Sequence, residues 1–186
     1  MSSLKEWEVT KPWLDAHCSL GEGPFFEKES NSVRFVDIQQ KRLHSVPLNG
    51  DMASLQTTQL DVPVTVTANI DGVDPTERIL IGVKSGLAIL DRKTGSYEVI
   101  NQFTEQQNDR LRSNDGASDA QGRFWIGTMT DFGQGDFRPE GTSTPPDYCY
   151  SVIWPLPPRV NSSVNVVKGL CIVSMASRAG RNCSRI

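Results

Sequence analysis

Along the first two thirds of the chain, apolar and polar residues alternate in short runs, the period-2 pattern of strands rather than the 3.6-residue period of helices. Val33-Arg34-Phe35-Val36-Asp37-Ile38 alternates as a half-buried strand does. A polar stretch from Gln39 to Arg42 follows, and Leu43 to Leu48 supplies the return strand of a hairpin. Arg78-Ile79-Leu80-Ile81-Gly82-Val83 opens a second unit, which passes through Ser85-Gly86 to Leu87-Ala88-Ile89-Leu90-Asp91. The turn Arg92-Lys93-Thr94-Gly95 then leads to a strand over Tyr97 to Ile100. A third unit begins at Gly122-Arg123-Phe124-Trp125-Ile126-Gly127.

Phe35, Leu80 and Trp125 are spaced by 45 and 45 residues. Repeats of roughly 40 to 50 residues that each hold several short strands are the signature of propeller blades, whose small sheets bury their faces on one another. The pattern predicts an all-β fold, a partial β-propeller of about three blades. The alternative is a chance recurrence of hairpins. A six-bladed ring would need about 270 residues at this period, more than the 186 present. An unclosed ring exposes sheet edges and inter-blade faces, so self-association through those edges is expected.

Beyond Gly141 the pattern stops. Pro145, Pro146, Pro155, Pro157 and Pro158 remove ladder donors, so the region is expected to be loop. Val164 to Met175 reads as one strand or a short buried segment, and the last residues show no periodicity. Charge breaks at the same place. Residues 1–141 hold 14 Lys/Arg and 21 Asp/Glu, whereas residues 142–186 hold 5 Lys/Arg and only Asp147 as an acid. The expected organisation is therefore a propeller segment, 1–141, and a divergent, Pro-rich, basic tail, 142–186, read as a truncated or alternatively spliced end.

The acidic body is a poor polyanion binder, so nucleic acid is not an expected partner. No apolar run reaches the roughly 18 residues needed to cross a bilayer, so no membrane is expected either. Lys5, Glu6, Glu8 and Lys11 interrupt the start of the chain and break the layout of a secretory signal, which makes a cytoplasmic location the expectation. Four cysteines without C-x-x-C spacing and only two histidines argue against a zinc finger. Phosphate-loop, nucleophile-elbow and dinucleotide motifs are missing. His17 beside Cys18 is not expected to form a dyad, because neighbours in a strand point to opposite faces.

Two linked segments remain. Leu20-Gly21-Glu22-Gly23-Pro24 lies near the start; Arg112-Ser113-Asn114-Asp115-Gly116 is followed by Asp119, Gly122-Arg123-Phe124-Trp125 and Gly127-Thr128-Met129. Together they resemble the hallmark segments of the regucalcin/gluconolactonase family, over roughly residues 15–141. The resemblance implies a six-bladed propeller with one divalent metal, calcium or zinc, on its axis, and hydrolysis of sugar lactones.

It also implies roles for three residues. Glu22 would be a metal ligand; Arg112 and Asn114 would bind the lactone, the asparagine lying near the metal. Apart from the resemblance, Glu22 reads as a turn carboxylate between two glycines, and Asn114-Asp115-Gly116 reads as a turn. Arg112 and Asn114 are two apart, so an extended backbone points them the same way. Asp119 and Arg123-Phe124-Trp125 are expected to pack the blade.

The chain departs from the family where the remaining metal ligands should stand. Lys168-Gly169-Leu170 carries a lysine in place of the ligand asparagine, and the later aspartate, the family's proton acceptor, has no counterpart. No residue is therefore assigned as catalytic base. Two functions are carried forward: a metal-dependent sugar-lactone hydrolase, and a non-catalytic calcium-binding or interaction fragment of a propeller.

Overall fold

The structure, a computed structural model, describes residues 6, 8–103, 109–119, 122, 124–131 and, as backbone alone, 151–153. It contains three antiparallel sheets. The first runs in the order β1 (Gly21–Glu27), β2 (Ser32–Asp37), β3 (Arg42–Pro47) and β4 (Gln56–Gln59). The second runs β5 (Val64–Ala68), β6 (Arg78–Val83), β7 (Gly86–Asp91) and β8 (Tyr97–Gln102). The third comprises β9 (Leu111–Ser118), β10 (Phe124–Thr130) and β11 (Ser151–Ile153). Each sheet is a meander in chain order, as propeller blades are.

Phe35, Leu80 and Trp125 fall on β2, β6 and β10, the second strand of each sheet. The 45-residue interval is thus the blade repeat. β11 corrects one expectation, because a short strand lies within the region read as loop. Its three residues fall between Pro146 and Pro155 in the sequence and, among the described residues, pair with β10. The expectations for Arg123, residues 164–175 and Lys168 concern residues outside those described.

The blades pack through their inner strands: β1 touches β5, and β5 touches β9. Between the first and second blades lies an apolar cluster of Val36, Leu43, Val64, Ile79, Ile81 and Leu90. Between the second and third lies another, containing Val66, Leu80, Leu87, Leu111, Phe124 and Ile126. Alternation along β6 explains both, since Ile79 and Ile81 face one neighbour and Leu80 the other. A strand covered on both faces needs an uninterrupted apolar run, and Ile79-Leu80-Ile81-Gly82-Val83 is one. At the turn after β6, a Cβ on Gly86 would stand 2.0 Å from the Asn101 carbonyl oxygen, so only glycine fits.

The half-buried reading of β2 needs correction. Arg34 and Asp37 are both 0% exposed. Asp37 accepts backbone N–H bonds from Ser19 (2.7 Å), Leu20 (3.2 Å) and Gln40 (3.0 Å). Burial pushes its carboxyl up, but these N–H groups outweigh burial and hold it below the ordinary aspartate value. Asp37 thereby ties the segment leading into β1 to the β2–β3 turn.

Candidate functional site

β1, β5 and β9 each carry one extra residue, early in β1 and β5 and midway along β9. In β1, Glu22 pairs with Val36 and Phe25 with Arg34, so three steps on β1 oppose two on β2. In β5, Val64 pairs with Val83 and Val66 with Gly82, which leaves Thr65 as the extra residue. In β9, Ser113 pairs with Thr128 and Gly116 with Ile126, which places the bulge at Asn114-Asp115. Bulges re-aim side chains and cluster beside functional sites. Here the device recurs in all three inner strands.

For Glu22 the bulge changes the face. Without it, Glu22 and Glu27, five positions apart, would lie on opposite sides of the strand. With it, Glu22, Phe25 and Glu27 pair with Val36, Arg34 and Ser32, a single row on the side of the second blade. Gly23 makes this possible, since its φ of +58° is costly for residues with a Cβ. The glycines flanking Glu22 therefore have a backbone role, and the turn expected at this position is a bulge within a strand.

Asn114-Asp115-Gly116 is likewise a bulge inside β9 rather than a free turn. A Cβ on Gly116 would meet the Trp125 carbonyl oxygen at 2.6 Å, so this close strand approach needs glycine. Trp125 Nε1 donates to Asp119 Oδ2 at 2.9 Å and Phe124 is buried, as expected of residues that pack the blade.

Arg112 and Asn114 meet, because Arg112 Nη2 donates to Asn114 Oδ1 at 3.3 Å. Nη1 of Arg112 donates to the Ser113 carbonyl at 2.9 Å, and Nη2 also reaches the Met129 thioether. Burial lowers the Arg112 guanidinium below the ordinary arginine value, while the carboxylates of Asp131 and then Glu22 pull it back. Glu22 of the first blade and Arg112 of the third thus lie within electrostatic reach of one another.

Three further groups support the arrangement. Lys84, at the β6–β7 turn, pairs with Asp131 at 2.6 Å, and its carbonyl accepts the Ser113 N–H at 2.9 Å. Thr65 Oγ1 and Ser113 Oγ share a hydrogen bond of 2.7 Å across the blade boundary, and Ser113 Oγ also donates to the Val83 carbonyl at 2.8 Å. Lys84, Asp131 and Thr65 escape a sequence reading because each is distant from Arg112 in the chain or shares no motif with it. The only local sign is that Asp131 closely follows Gly127-Thr128-Met129.

Among the described residues, no group of three or more His, Cys, Asp or Glu side chains converges to hold a metal ion. Glu22 is the one sequence-predicted metal ligand that the fold brings to this end, and a hard cation gathers several oxygens. The described residues therefore do not fit a complete metal site. His17 and Cys18 lie outside strands, and His17 is exposed beside Asp15. Burial and Asp37 raise the Cys18 thiol, the reverse of what a thiolate nucleophile needs.

Fold and site define a partial β-propeller whose inner strands bring a carboxylate, a guanidinium and an amide to one end. The chain belongs to the SMP-30/gluconolactonase/LRE-like family, whose model matches residues 20–170. It is 33% identical over 132 residues to regucalcin of Pongo abelii, with 70% of this chain and 40% of the relative covered. It is 32% identical over 136 residues to the cell growth-regulated gene 1 protein of Candida albicans, covering 66% of this chain and 40% of that one.

Among solved structures, the calcium-binding protein regucalcin of Agrobacterium tumefaciens superposes with a TM-score of 0.53 at 29% identity, covering 61% of this chain and 36% of that one. A luciferin-regenerating enzyme gives 0.53 at 28% identity, over 61% and 37%. The chain thus spans about 40% of the length of the curated relatives it matches. No helix among the described residues is long and apolar enough to cross a membrane.

Proposed function

We propose that this chain presents the substrate-orienting side of a sugar-lactone hydrolase site at the bulges of its inner strands. The observation behind this reading is that Thr65 links the two motifs: its carbonyl oxygen stands 4.0 Å from where Gly23, next to Glu22, would carry a Cβ, and its hydroxyl bonds Ser113, between Arg112 and Asn114, at 2.7 Å. A sugar lactone is a polyhydroxylated ester whose carbonyl and ring oxygens accept hydrogen bonds. Arg112 supplies N–H donors in a fixed plane, Asn114 supplies both a donor and an acceptor, and Glu22 accepts from hydroxyls. Hydrolysis also needs a group that takes a proton from water. No residue of this chain is assigned that role. A divalent cation, calcium or zinc, would find Glu22 and the Asn114 amide here, short of the roughly six to eight oxygens calcium prefers.

Glu22 as the single assigned metal ligand among the described residues favours a second reading, a propeller fragment that binds a lactone or calcium without turnover. One experiment separates the two. Glucono-1,5-lactone hydrolysis is followed by pH-stat, with and without calcium or zinc, while lactone binding is followed by calorimetry. The hydrolase reading expects metal-dependent turnover above background that Glu22→Gln abolishes, with Arg112→Ala weakening binding about tenfold. Binding that needs Arg112 but gives no turnover supports the fragment. Absence of both sinks the assignment.

A further inference from the structure

A second polar site lies at the other end of β1. Glu22 and Glu27 pair with Val36 and Ser32, so roughly 13 Å of strand separates them, and what surrounds Glu27 is distinct from the site described above. The Glu27 carboxylate is 3% exposed and is shared by two guanidinium groups. Arg34, 0% exposed, donates to Glu27 Oε1 at 2.8 Å, to Asn69 Oδ1 at 2.7 Å and to Thr67 Oγ1 at 2.8 Å. Arg92, from the β7–β8 turn, grips Glu27 through both terminal nitrogens and donates to the Pro75 carbonyl at 2.7 Å. Nη2 of Arg34 has no hydrogen-bond partner among the described residues, and the guanidinium lies over the Phe25 ring at 4.0 Å.

The charges do not balance. Within the buried cluster two cations face one carboxylate and Arg92 repels Arg34, while the exposed Asp74 carboxylate lies within electrostatic reach of Arg92 from outside it. Desolvation, aided by that repulsion and opposed by Glu27, lowers Arg34 to about 10. Surplus buried charge is costly unless a counter-charge meets it. Beside the cluster is a cavity of about 360 Å³ between the first two blades. Glu27 and Arg92 line it together with Ser32, Ser45, Thr58 and Thr76. Its size falls within the range of small-ligand pockets. Arginine has five N–H donors, and the bonds to Glu27 and Pro75 use three of those on Arg92. His44, also in the wall, is held toward its neutral form by burial. Lys93 at the rim is already paired with Glu77 at 2.8 Å.

We propose that this inter-blade cavity binds a small polyhydroxylated monoanion. Its carboxylate would meet Arg92 and neutralise the Arg34–Glu27–Arg92 cluster, and its hydroxyls would bond to the serines and threonines. The uncommitted Arg92 N–H groups at the wall select a carboxylate, and the hydroxyl lining selects a polyol.

The probe is sodium gluconate, titrated into the full chain and followed by amide NMR, with glucose and acetate as controls. Saturable shifts at Ser32, Ser45, Thr58 and Thr76 are expected, with glucose and acetate each binding about tenfold more weakly. Arg92→Gln removes the anion-facing guanidinium and leaves Arg34 paired one-to-one with Glu27, so the fold is kept while gluconate affinity falls about tenfold. Thr76→Trp, which fills the cavity from an exposed turn, should abolish the shifts. Glu22→Ala should leave them unchanged, which separates this site from the lactone site. Shifts confined to Gly21 and Asn114, equal binding of glucose, or full affinity in both Arg92→Gln and Thr76→Trp would overturn the proposal.

Discussion

The two blade boundaries are built differently. The boundary between the second and third blades is closed by the apolar Leu80, Leu87, Phe124 and Ile126, with the Thr65–Ser113 hydroxyl pair and the partly exposed Lys84–Asp131 ion pair at its site end. The boundary between the first and second blades has a comparable apolar cluster but also encloses Glu27, Arg34 and Arg92. Buried hydroxyls are satisfied by one or two hydrogen bonds, whereas buried charges need partners of opposite sign. The second boundary keeps its ion pair partly in water, whereas the first depends on a buried electrostatic balance that one substitution can upset.

The largest expected effect comes from breaking that balance. Glu27→Ala leaves two cations in the first boundary without a carboxylate and should cost about 3 to 5 kcal/mol, read from the urea midpoint. Replacing Glu27 and Arg34 together with apolar residues of similar size should recover much of the loss. If the single variant is as stable as wild type, the cluster is not a determinant of the boundary.

Next comes the shared strand. Ile81→Ala on β6 removes packing from the first boundary and Leu80→Ala from the second, each at about 2 to 5 kcal/mol. Because β6 serves both, the two losses should be similar. Thr65→Val at the second boundary should cost only about 1 kcal/mol, since Ser113 Oγ keeps its bond to the Val83 carbonyl.

The smallest effect is the most discriminating, since it uses pH. His44 is buried and stacked on Phe35 at 4.9 Å, and burial lowers its pKa from 6.5. The unfolded chain then binds a proton more readily, so stability is full above pH 6.5 and declines as pH falls through the window below it. Glu27 and Asp37 are lowered from 4.5 and 3.8, so the stability they add is present above those values and lost as pH falls further. For Glu27, burial opposes the shift, and its hydrogen bonds and charge interactions with Arg92 and Arg34 win. All three residues lie in the first blade. Amide exchange should therefore show the first blade losing protection at a higher pH than β6 and β10, and His44→Gln should remove the earlier step. Simultaneous loss in all blades would mean that the boundaries are not independent.

The blade repeat was readable because its signal is local. Alternation and turn residues around Phe35, Leu80 and Trp125 report strands within a few positions, and the 45-residue interval reports their recurrence. Arg112 and Asn114 were also legible as a pair, since neighbours two apart on an extended backbone share a side. The burial of Arg34 was not. In a hairpin read by itself, a charged residue within an alternating strand belongs on the wet face. Only the arrival of Glu27, Thr67 and Asn69 makes the interior tolerable for it.

By itself, the sequence determined the strands around Phe35, Leu80 and Trp125, their 45-residue repeat, the family and the residues of its two motifs, because these follow from patterns of neighbouring residues; β1, β4, β5 and β9, irregular or short in pattern, came only from the structure. Tertiary structure decided which face Glu22 occupies, through an extra residue in β1 visible only from its pairing with β2. It also decided that Glu27 meets Arg92, 65 positions away, in a shared buried cluster. Contacts of that reach depend on how blades stack, and a period-2 pattern is the same whichever neighbour covers the strand.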